Sequence, residues 1–287
     1  MVCTSPITLT KKPDLKFRCR KCLSCQVTKR QEWAMRCVME SETHEENSFI
    51  TLTFSNEYNT TVGYEKGILQ KFMKRLRKKI YPKKVKYVAC YEYGEGIGTR
   101  EWWEHPHYHI LLFGHEFKED KKFLKKTRKG EFIYTSPTLE DLWSDPITKE
   151  SYGMSSIGTL THSSASYVAG YIHKKFNGYI EDEIKHYTNP LGQLLPKERI
   201  YSSQGISKSF YEKHKTQLYN HDYITYQDKK YPLPEYYNRL IDKESKFKYS
   251  VLKIRRSEHK QELTKLECKS RDYILKQKFS KRKMTDG

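Results

Sequence analysis

The sequence predicts an α+β fold, because apolar segments with strand character alternate along the chain with segments of helical periodicity. Strands are predicted where aromatic and β-branched residues follow one another, and helices where apolar side chains recur every three or four residues. A glycine-rich segment separates the second predicted strand from the third, which is typical of a hairpin with a long loop. The predicted strands are residues 49–54, 86–93 and 107–113, and the predicted helices are residues 26–46, 65–80 and 164–180.

Two parts of the chain show no clear periodicity. Residues 1–25 are basic and contain Pro6 and Pro13, so loops or short turns are predicted there. Residues 116–163 mix charged residues with Pro and Gly and are predicted to be rich in loops. The predicted organisation is a cysteine-bearing N-terminal segment and helix (1–46), a core (47–215) and a basic C-terminal extension (216–287), either helical or partly disordered.

The charge of the chain indicates a polyanionic partner. Its 287 residues include 54 Lys and Arg against 35 Asp and Glu, a formal net charge of +19 at pH 7. Residues 71–86 contribute nine basic side chains and no acidic one, so the second predicted helix either faces phosphates or is an ordinary solvated surface helix. No run of about 18 apolar residues and no charged-then-apolar leader occurs, which predicts neither a membrane span nor secretion.

Two histidines at alternate positions of a predicted strand share one face of the sheet. They are His107 and His109, and Glu92 on the preceding strand has the parity to join them if the two strands pair. Two imidazoles and a carboxylate suit a divalent cation and leave positions open for water or a phosphate oxygen. The alternative is that they are surface histidines or hydrogen-bonded histidines of the core.

A second cluster is predicted on the helix at 164–180. Tyr167, Tyr171 and Lys174 recur at helical spacing, so two phenols and an ammonium group share one helix face. The alternative is an aromatic stripe buried in the core, although the neighbouring lysines make burial of this face costly.

The cysteines are too unevenly placed for a disulfide framework, which favours an intracellular protein. Three of them, Cys19, Cys22 and Cys25, follow one another at intervals of three residues. This spacing predicts a structural zinc site with Cys3 or Cys37 as the fourth thiolate. The alternative is a set of reduced thiols in a basic loop.

Three segments occur in the order of the three motifs of HUH-type rolling-circle replication endonucleases. The chain resembles in particular the replication initiators of microviruses, small phages with single-stranded DNA, and among them the gokushovirus branch. The motif segments are FITLTF at 49–54, HPHYHILLF at 105–113 and YVAGYIHKK at 167–175. Further similar segments are CRKCLSCQ at 19–26, QEWAMRC at 31–37, FMKRLRKK at 72–79, CYEYGEG at 90–96 and SSQGISKSFYEKH at 202–214, so the resemblance covers roughly residues 1–215.

The resemblance implies roles for individual positions and a fold. The implied fold is a five-stranded antiparallel sheet flanked by helices. His105 departs from the pattern of the family, and its imidazole is a competitor for the metal. The implied catalytic residues are Tyr167, Tyr171 and Lys174, and the implied metal ligands are His107, His109 and, as third ligand, Glu92, with Glu95 as the fallback.

The resemblance also implies an activity. It is metal-dependent nicking of single-stranded origin DNA by tyrosine attack, with a 5′-phosphotyrosine intermediate, a free 3′-hydroxyl and later rejoining during rolling-circle replication. The implied metal is Mg²⁺ or Mn²⁺, and the implied partners are origin DNA and the host replication helicase and polymerase, in the cytoplasm of the bacterial host. Two other classes stay open, namely a non-enzymatic basic protein that binds or packages single-stranded DNA, and a metallohydrolase without covalent chemistry.

Overall fold

The structure is a computed structural model, and the chain divides in it into two compact units. One unit consists of residues 1–33 and 211–287, and the other consists of residues 34–210. The three-part division made from the sequence stays a prediction. The residues that the structure describes are 3–10, 12–55, 67–94, 106–128, 130–174, 192, 198–259 and 263–285.

These described residues form eight helices and eleven strands. None of the helices within them is both long enough and apolar enough to cross a membrane. The helices are α1 (Leu23–Ser41), α2 (Ile68–Lys79), α3 (Pro137–Leu142), α4 (His162–Lys174), α5 (Lys208–His221), α6 (Glu235–Glu244), α7 (Lys246–Glu258) and α8 (Lys265–Thr285). The strands are β1 (Ile7–Leu9), β2 (Lys12–Phe17), β3 (Asn47–Thr53), β4 (Lys86–Tyr93), β5 (Pro106–Phe113), β6 (Lys122–Lys126), β7 (Phe132–Thr135), β8 (Ser155–Gly158), β9 (Arg199–Ser202), β10 (Tyr223–Tyr226) and β11 (Lys229–Pro232).

A seven-stranded antiparallel sheet forms the centre of the second unit, in the order β6-β7-β8-β3-β5-β4-β9. The three strands predicted from the sequence are adjacent in it, as β3, β5 and β4. The expected number of five strands is wrong, because β6, β7 and β8 arise from the segment that was predicted to be rich in loops. β6 is exposed along its whole length, so it lacks the alternation of apolar and polar side chains by which a half-buried strand is recognised.

The main hydrophobic core covers one face of this sheet. Tyr108, Ile110 and Leu112 of β5 point into it, as their alternation predicts. Trp143, which follows α3, is fully buried there, and its indole Nε1 donates a hydrogen bond to the main-chain oxygen of Thr53 at 2.8 Å. The predicted basic amphipathic helix is confirmed as α2, whose buried side chains in this core are Ile68, Leu69, Phe72, Met73 and Leu76.

The helix α4 packs against β4, β5 and β9. Its buried side chains are small, namely Ala165, Val168 and Ala169. Small side chains at a packed face allow a helix to approach a sheet closely. This approach brings Tyr167 over the residues of β4 and β5 that lie between those pointing into the core.

A buried carboxylate joins the end of α1 to other parts of the second unit. Glu40 is fully buried, and its Oε1 lies 2.8 Å from Nε2 of His44 and 2.9 Å from Nζ of Lys86. The backbone N–H of Ser207 donates to Oε2. Burial alone would raise the pKa of Glu40, but these hydrogen bonds outweigh it and lower that pKa. Glu40 is therefore charged at neutral pH.

The first unit begins with a hairpin in the segment for which loops or short turns were predicted. That prediction is wrong, because β1 pairs antiparallel with β2 and Ile7 lies opposite Phe17. Ile7 and Leu9 are each 48% exposed, so the hairpin has no buried face that the sequence pattern could show. Thr4, just before β1, donates a hydrogen bond from its hydroxyl to Oδ1 of Asp272 in α8 at 2.7 Å.

The helical alternative for the C-terminal extension is confirmed for the described residues, in α6, α7 and α8. A second hairpin, β10 and β11, precedes these helices and was not predicted. Its turn residues Gln227 and Asp228 both have positive φ, at 47° and 58°. Two consecutive positive φ values are typical of a tight hairpin turn, where asparagine and glycine are the usual residues.

Candidate functional site

The strands β4 and β5 pair as the predicted hairpin and set the register of the site. Glu92 lies opposite His107, and Cys90 lies opposite His109. Because side chains two residues apart on a strand share a face, the three predicted ligands project to the same side of the sheet. This side is the one on which α4 packs.

The three side chains converge on one oxygen atom. Nε2 of His107 and Nε2 of His109 each lie 2.9 Å from Oε1 of Glu92. Glu92 is 1% exposed, and the two imidazole side chains are 15% and 12% exposed. The geometry that alternation predicted for these three residues is thus confirmed, whereas their role as metal ligands stays a prediction.

The charges in the cluster suit ligands of a cation. Burial alone would raise the pKa of Glu92, but its hydrogen bonds with His107 and His109 outweigh it and lower that pKa to about 2. Burial lowers the pKa of His109, against the opposing effect of the Glu92 carboxylate. At neutral pH the site therefore offers an ionised carboxylate and a neutral imidazole at position 109, which are the protonation states that bind metals.

Two residues of β3 support His109, and the sequence analysis did not single them out. Oγ1 of Thr51 lies 2.9 Å from Nδ1 of His109, and the ring of Phe49 stacks on the imidazole with centroids 5.2 Å apart and planes 12° apart. With Nδ1 engaged by Thr51, Nε2 is the nitrogen that faces Glu92. The signal for these residues was their shared parity in the segment 49–54, which becomes informative once β3 is known to pair with β5.

The donor set fits a divalent cation. Oε2 of Glu92 is buried and has no hydrogen-bond partner among the described residues. A buried carboxylate oxygen without a partner is costly, and a bound cation would satisfy it. Two imidazole nitrogens and a carboxylate leave coordination positions for oxygen ligands, as in other sites where a metal acts on a substrate. The described residues thus include a group that can hold a metal ion in Glu92, His107 and His109.

Tyr167 of α4 reaches the same carboxylate oxygen. Its hydroxyl donates a hydrogen bond to Oε1 of Glu92 at 2.9 Å, and its ring meets the imidazole of His109 edge to face with centroids 5.1 Å apart. Tyr167 is nevertheless 42% exposed, so a substrate can approach its ring from solvent. The partial burial and the charge of Glu92 raise the pKa of Tyr167 well above its usual value.

Several predicted residues are not described to the same depth. The backbone of α4 includes Tyr171 and Lys174, but their side chains lie outside what the structure describes. Glu95 and His105 lie outside the described residues altogether. The shared face of Tyr167, Tyr171 and Lys174 therefore stays a prediction from their spacing on a helix whose backbone is present.

The predicted cysteine cluster comes together in the first unit. Sγ atoms of Cys3, Cys19, Cys22 and Cys25 all lie within 4.8 Å of one another. Of the two candidates for the fourth position, the structure places Cys3 there. Cys37 is buried elsewhere, in the second unit, and is 1% exposed.

Comparisons with known proteins point to DNA replication. Residues 47–176, which contain β3, the histidines and α4, match the family model of the replication-associated protein ORF2. The chain is 31% identical over 240 residues to the replication-associated protein ORF2 of Spiroplasma virus 4 and 30% identical over 230 residues to the replication-associated protein VP4 of Bdellovibrio phage phiMH2K. It is 27% identical over 232 residues to the replication-associated protein ORF4 of Chlamydia phage 1.

The chain belongs to this family of microvirus replication-associated proteins, so the resemblance inferred from the motifs is confirmed. The alignments cover 79%, 77% and 78% of the chain for the Spiroplasma, Bdellovibrio and Chlamydia relatives. They cover 68%, 66% and 53% of those relatives, so the chain spans about two thirds of the first two and about half of the third. No solved structure matches the chain.

Proposed function

We propose that the protein initiates rolling-circle replication by nicking single-stranded DNA at an origin, with Tyr167 as a nucleophile and an HUH-type site on the sheet. The observation that carries this proposal is the position of the Tyr167 hydroxyl. It lies 2.9 Å from the carboxylate oxygen of Glu92 on which the Nε2 atoms of His107 and His109 converge. A nucleophile and a metal-binding group thus occupy one place, which a structural role for either does not require. The printed names of the relatives support a role in replication.

His107, His109 and Glu92 would hold Mg²⁺ or Mn²⁺. A cation bound there supplies positive charge to a non-bridging oxygen of the scissile phosphate as negative charge builds up in the transition state. Thr51 and Phe49 keep the imidazole of His109 in the orientation in which Nε2 faces the site.

Tyr167 must lose its proton to attack. Next to an uncompensated Glu92 carboxylate the phenol stays neutral at pH 7, because the pKa of Tyr167 is raised. Positive charge held by the same carboxylate removes this penalty and favours the phenolate. The proximity of the tyrosine to the ligand set therefore predicts that cleavage depends on the metal even if DNA binding does not.

In the cleavage step, the phenolate oxygen of Tyr167 forms a bond to the scissile phosphorus. The bond between phosphorus and the 3′ oxygen breaks, the phenolic proton passes to solvent, and the departing oxygen takes up a proton to become a 3′-hydroxyl. The product is a 5′-phosphotyrosine, and a host polymerase can extend the free 3′ end. Because the phosphotyrosine keeps the energy of the phosphodiester, a 3′-hydroxyl can reverse the reaction and rejoin the strand without a nucleotide cofactor.

Tyr171 is proposed as the second nucleophile and Lys174 as a cation beside the phosphate, one and two turns further along α4. Two tyrosines allow one to cleave a regenerated origin while the adduct on the other is resolved by the new 3′-hydroxyl. The proposed partners are single-stranded origin DNA and the host helicase and polymerase, in the cytoplasm of a bacterial host.

The test is cleavage of overlapping single-stranded oligonucleotides that together cover the genome encoding the chain. Each is labelled at its 3′ end and incubated with the protein with and without Mn²⁺ or Mg²⁺, and the products are separated by denaturing electrophoresis. We expect one oligonucleotide to give a metal-dependent protein-linked product. The adduct should be lost when Tyr167 and Tyr171 are both changed to Phe, and kept in Tyr273→Phe, a matched change of an exposed tyrosine in α8 that is 64% exposed.

The competing class is a basic protein that binds or packages single-stranded DNA without cutting it. It explains the net charge of +19 but not the convergence of Glu92, His107, His109 and Tyr167. Tight binding of the full oligonucleotide set with no cleavage and no adduct under any metal would favour this class. Metal-dependent cleavage without an adduct would instead favour a metallohydrolase that uses no covalent step.

A further inference from the structure

The first unit contains a second cluster of metal-binding side chains, which the proposed nicking reaction does not use. Sγ of Cys3 lies 3.6 Å from Sγ of Cys19 and 3.8 Å from Sγ of Cys22, and Cys25 completes a group of four within 4.8 Å. All four cysteines are free rather than paired in disulfides. A disulfide would need sulfur atoms about 2.05 Å apart, so the cluster is an arrangement of four separate thiols.

The spacing of these sulfur atoms matches tetrahedral zinc. Zinc binds cysteine sulfur at about 2.3 Å, and two ligands at the corners of a tetrahedron of that radius are about 3.8 Å apart. The measured separations of 3.6 and 3.8 Å agree with this edge length. We propose that Cys3, Cys19, Cys22 and Cys25 bind one structural Zn²⁺ ion that fixes the N-terminal hairpin to the beginning of α1.

Backbone donors also point at the sulfur atoms. The N–H of Cys19 donates to Sγ of Cys3 at 3.4 Å, and the N–H of Cys22 donates to Sγ of Cys19 at 3.2 Å. Such hydrogen bonds favour the thiolate, which is the form of cysteine that binds metals. They also orient the ligands in the way that outer partners do in metal sites. Four neutral thiols that meet only by packing would have no need of these donors.

The hairpin enclosed by the cluster lacks another source of stability. Cys3 precedes β1 and Cys19 follows β2, so the two cysteines close the open end of the hairpin. Its apolar residues Ile7, Leu9 and Phe17 are 48%, 48% and 36% exposed. A two-stranded hairpin without a buried face is marginally stable in water. Binding of a metal at its base would supply the free energy that burial of apolar side chains does not supply.

The ligand chemistry separates this cluster from the one in the second unit. Four thiolates are soft ligands that favour zinc or iron in tetrahedral geometry, whereas Glu92, His107 and His109 offer oxygen and imidazole nitrogen. The zinc proposal is independent of the nicking proposal, and each can fail without the other.

The test is the metal content of the purified full-length chain, measured by inductively coupled plasma mass spectrometry. We expect about one zinc per chain in the wild type and at least a tenfold loss in Cys19→Ser and in Cys22→Ser. The matched control is Cys268→Ser in α8, outside the cluster, which should keep its zinc. A variant with His107→Ala and His109→Ala should also keep it, which excludes the other cluster as the source.

A second measurement covers the case in which the cysteine variants fail to fold. Wild-type protein expressed with Co²⁺ in place of Zn²⁺ should show the intense visible bands of tetrahedral cobalt and thiolate-to-cobalt charge transfer in the near ultraviolet. Iron in place of zinc, zinc that is lost only with the two histidines, or a wild-type chain without zinc and without these cobalt bands would each overturn the proposal.

Discussion

Oγ1 of Thr51 lies 2.9 Å from Nδ1 of His109, across the pairing of β3 with β5. This hydrogen bond leaves Nε2 of His109 facing Glu92, and Phe49 stacks on the same ring from the same strand. The strand β3 thus positions a residue to which it contributes no ligand.

Replacing Thr51 by Val should weaken metal binding. The change keeps the size of the side chain but removes the hydroxyl that orients His109, and loss of such a partner typically costs about 10–100-fold in metal affinity. We expect the Mn²⁺ concentration for half-maximal DNA cleavage to rise by about tenfold or more. Thr51→Ser, which keeps a hydroxyl, should stay near the wild-type value. An unchanged Mn²⁺ requirement in Thr51→Val would show that the hydrogen bond has no part in the site.

Replacing Glu40 by Gln should destabilise the fold by about 3 kcal/mol at pH 7, because it leaves Lys86 and His44 without the buried charge that they contact. Urea unfolding monitored by tryptophan fluorescence measures this difference. Glu42→Gln, two residues away and exposed, is the control and should change stability by less than about 0.5 kcal/mol.

The effect of Glu40 should also depend on pH. The folded chain lowers the pKa of Glu40 below its ordinary value of 4.5, so the stabilisation is complete above about pH 4.5 and is lost as the pH falls through the folded value. The difference in stability between wild type and Glu40→Gln should therefore narrow in acid. A difference that stays constant from pH 7 to pH 3 would contradict this account.

Replacing Gly153 by Ala should be more harmful than replacing Gly67 by Ala. Both glycines have positive φ, at 155° and 117°, so both substitutions introduce backbone strain. A Cβ on Gly153 would lie 2.4 Å from the main-chain oxygen of Thr53, whereas a Cβ on Gly67 would meet nothing within 4 Å. We expect Gly67→Ala to cost about 1 kcal/mol and Gly153→Ala to cost about 2 kcal/mol more, measured by thermal unfolding. Equal costs would mean that the end of β3 yields freely.

Neutralising basic residues of α2 should reduce the salt dependence of DNA binding. Lys74 and Lys78 are exposed on the polar side of this helix. If they contact phosphates, the double change to Ala should lower the slope of log affinity against log salt by about 0.7 for each lysine. Lys149→Ala is the control, because that exposed lysine pairs with Asp141. An unchanged slope would identify α2 as an ordinary solvated helix surface.

The site could be predicted from the sequence where one strand period or one helix period was sufficient. The alternation in β4 and β5 predicted that Glu92, His107 and His109 converge, and the apolar stripe of α2 predicted its buried side. Such periods act between near neighbours in the chain, and they operate on residues that are half buried.

The remaining elements left no such pattern. β6 is exposed along its length, and the hairpin of β10 and β11 turns through Gln227 and Asp228 instead of the usual asparagine and glycine. The role of Thr51 depends on which strand lies beside β5, and pairing between strands that are distant in the chain is not contained in either sequence segment alone.

The most direct test of the central claim is to find which residue carries the DNA. After cleavage in Mn²⁺, the adduct is digested with nuclease and trypsin, and the peptide of residues 150–174, which contains Tyr167 and Tyr171, is fragmented in a mass spectrometer. We predict a nucleotide phosphate on Tyr167 in the wild type, and on Tyr171 alone in Tyr167→Phe. An adduct on any residue outside these two, or complete cleavage with no modified peptide, would contradict the account.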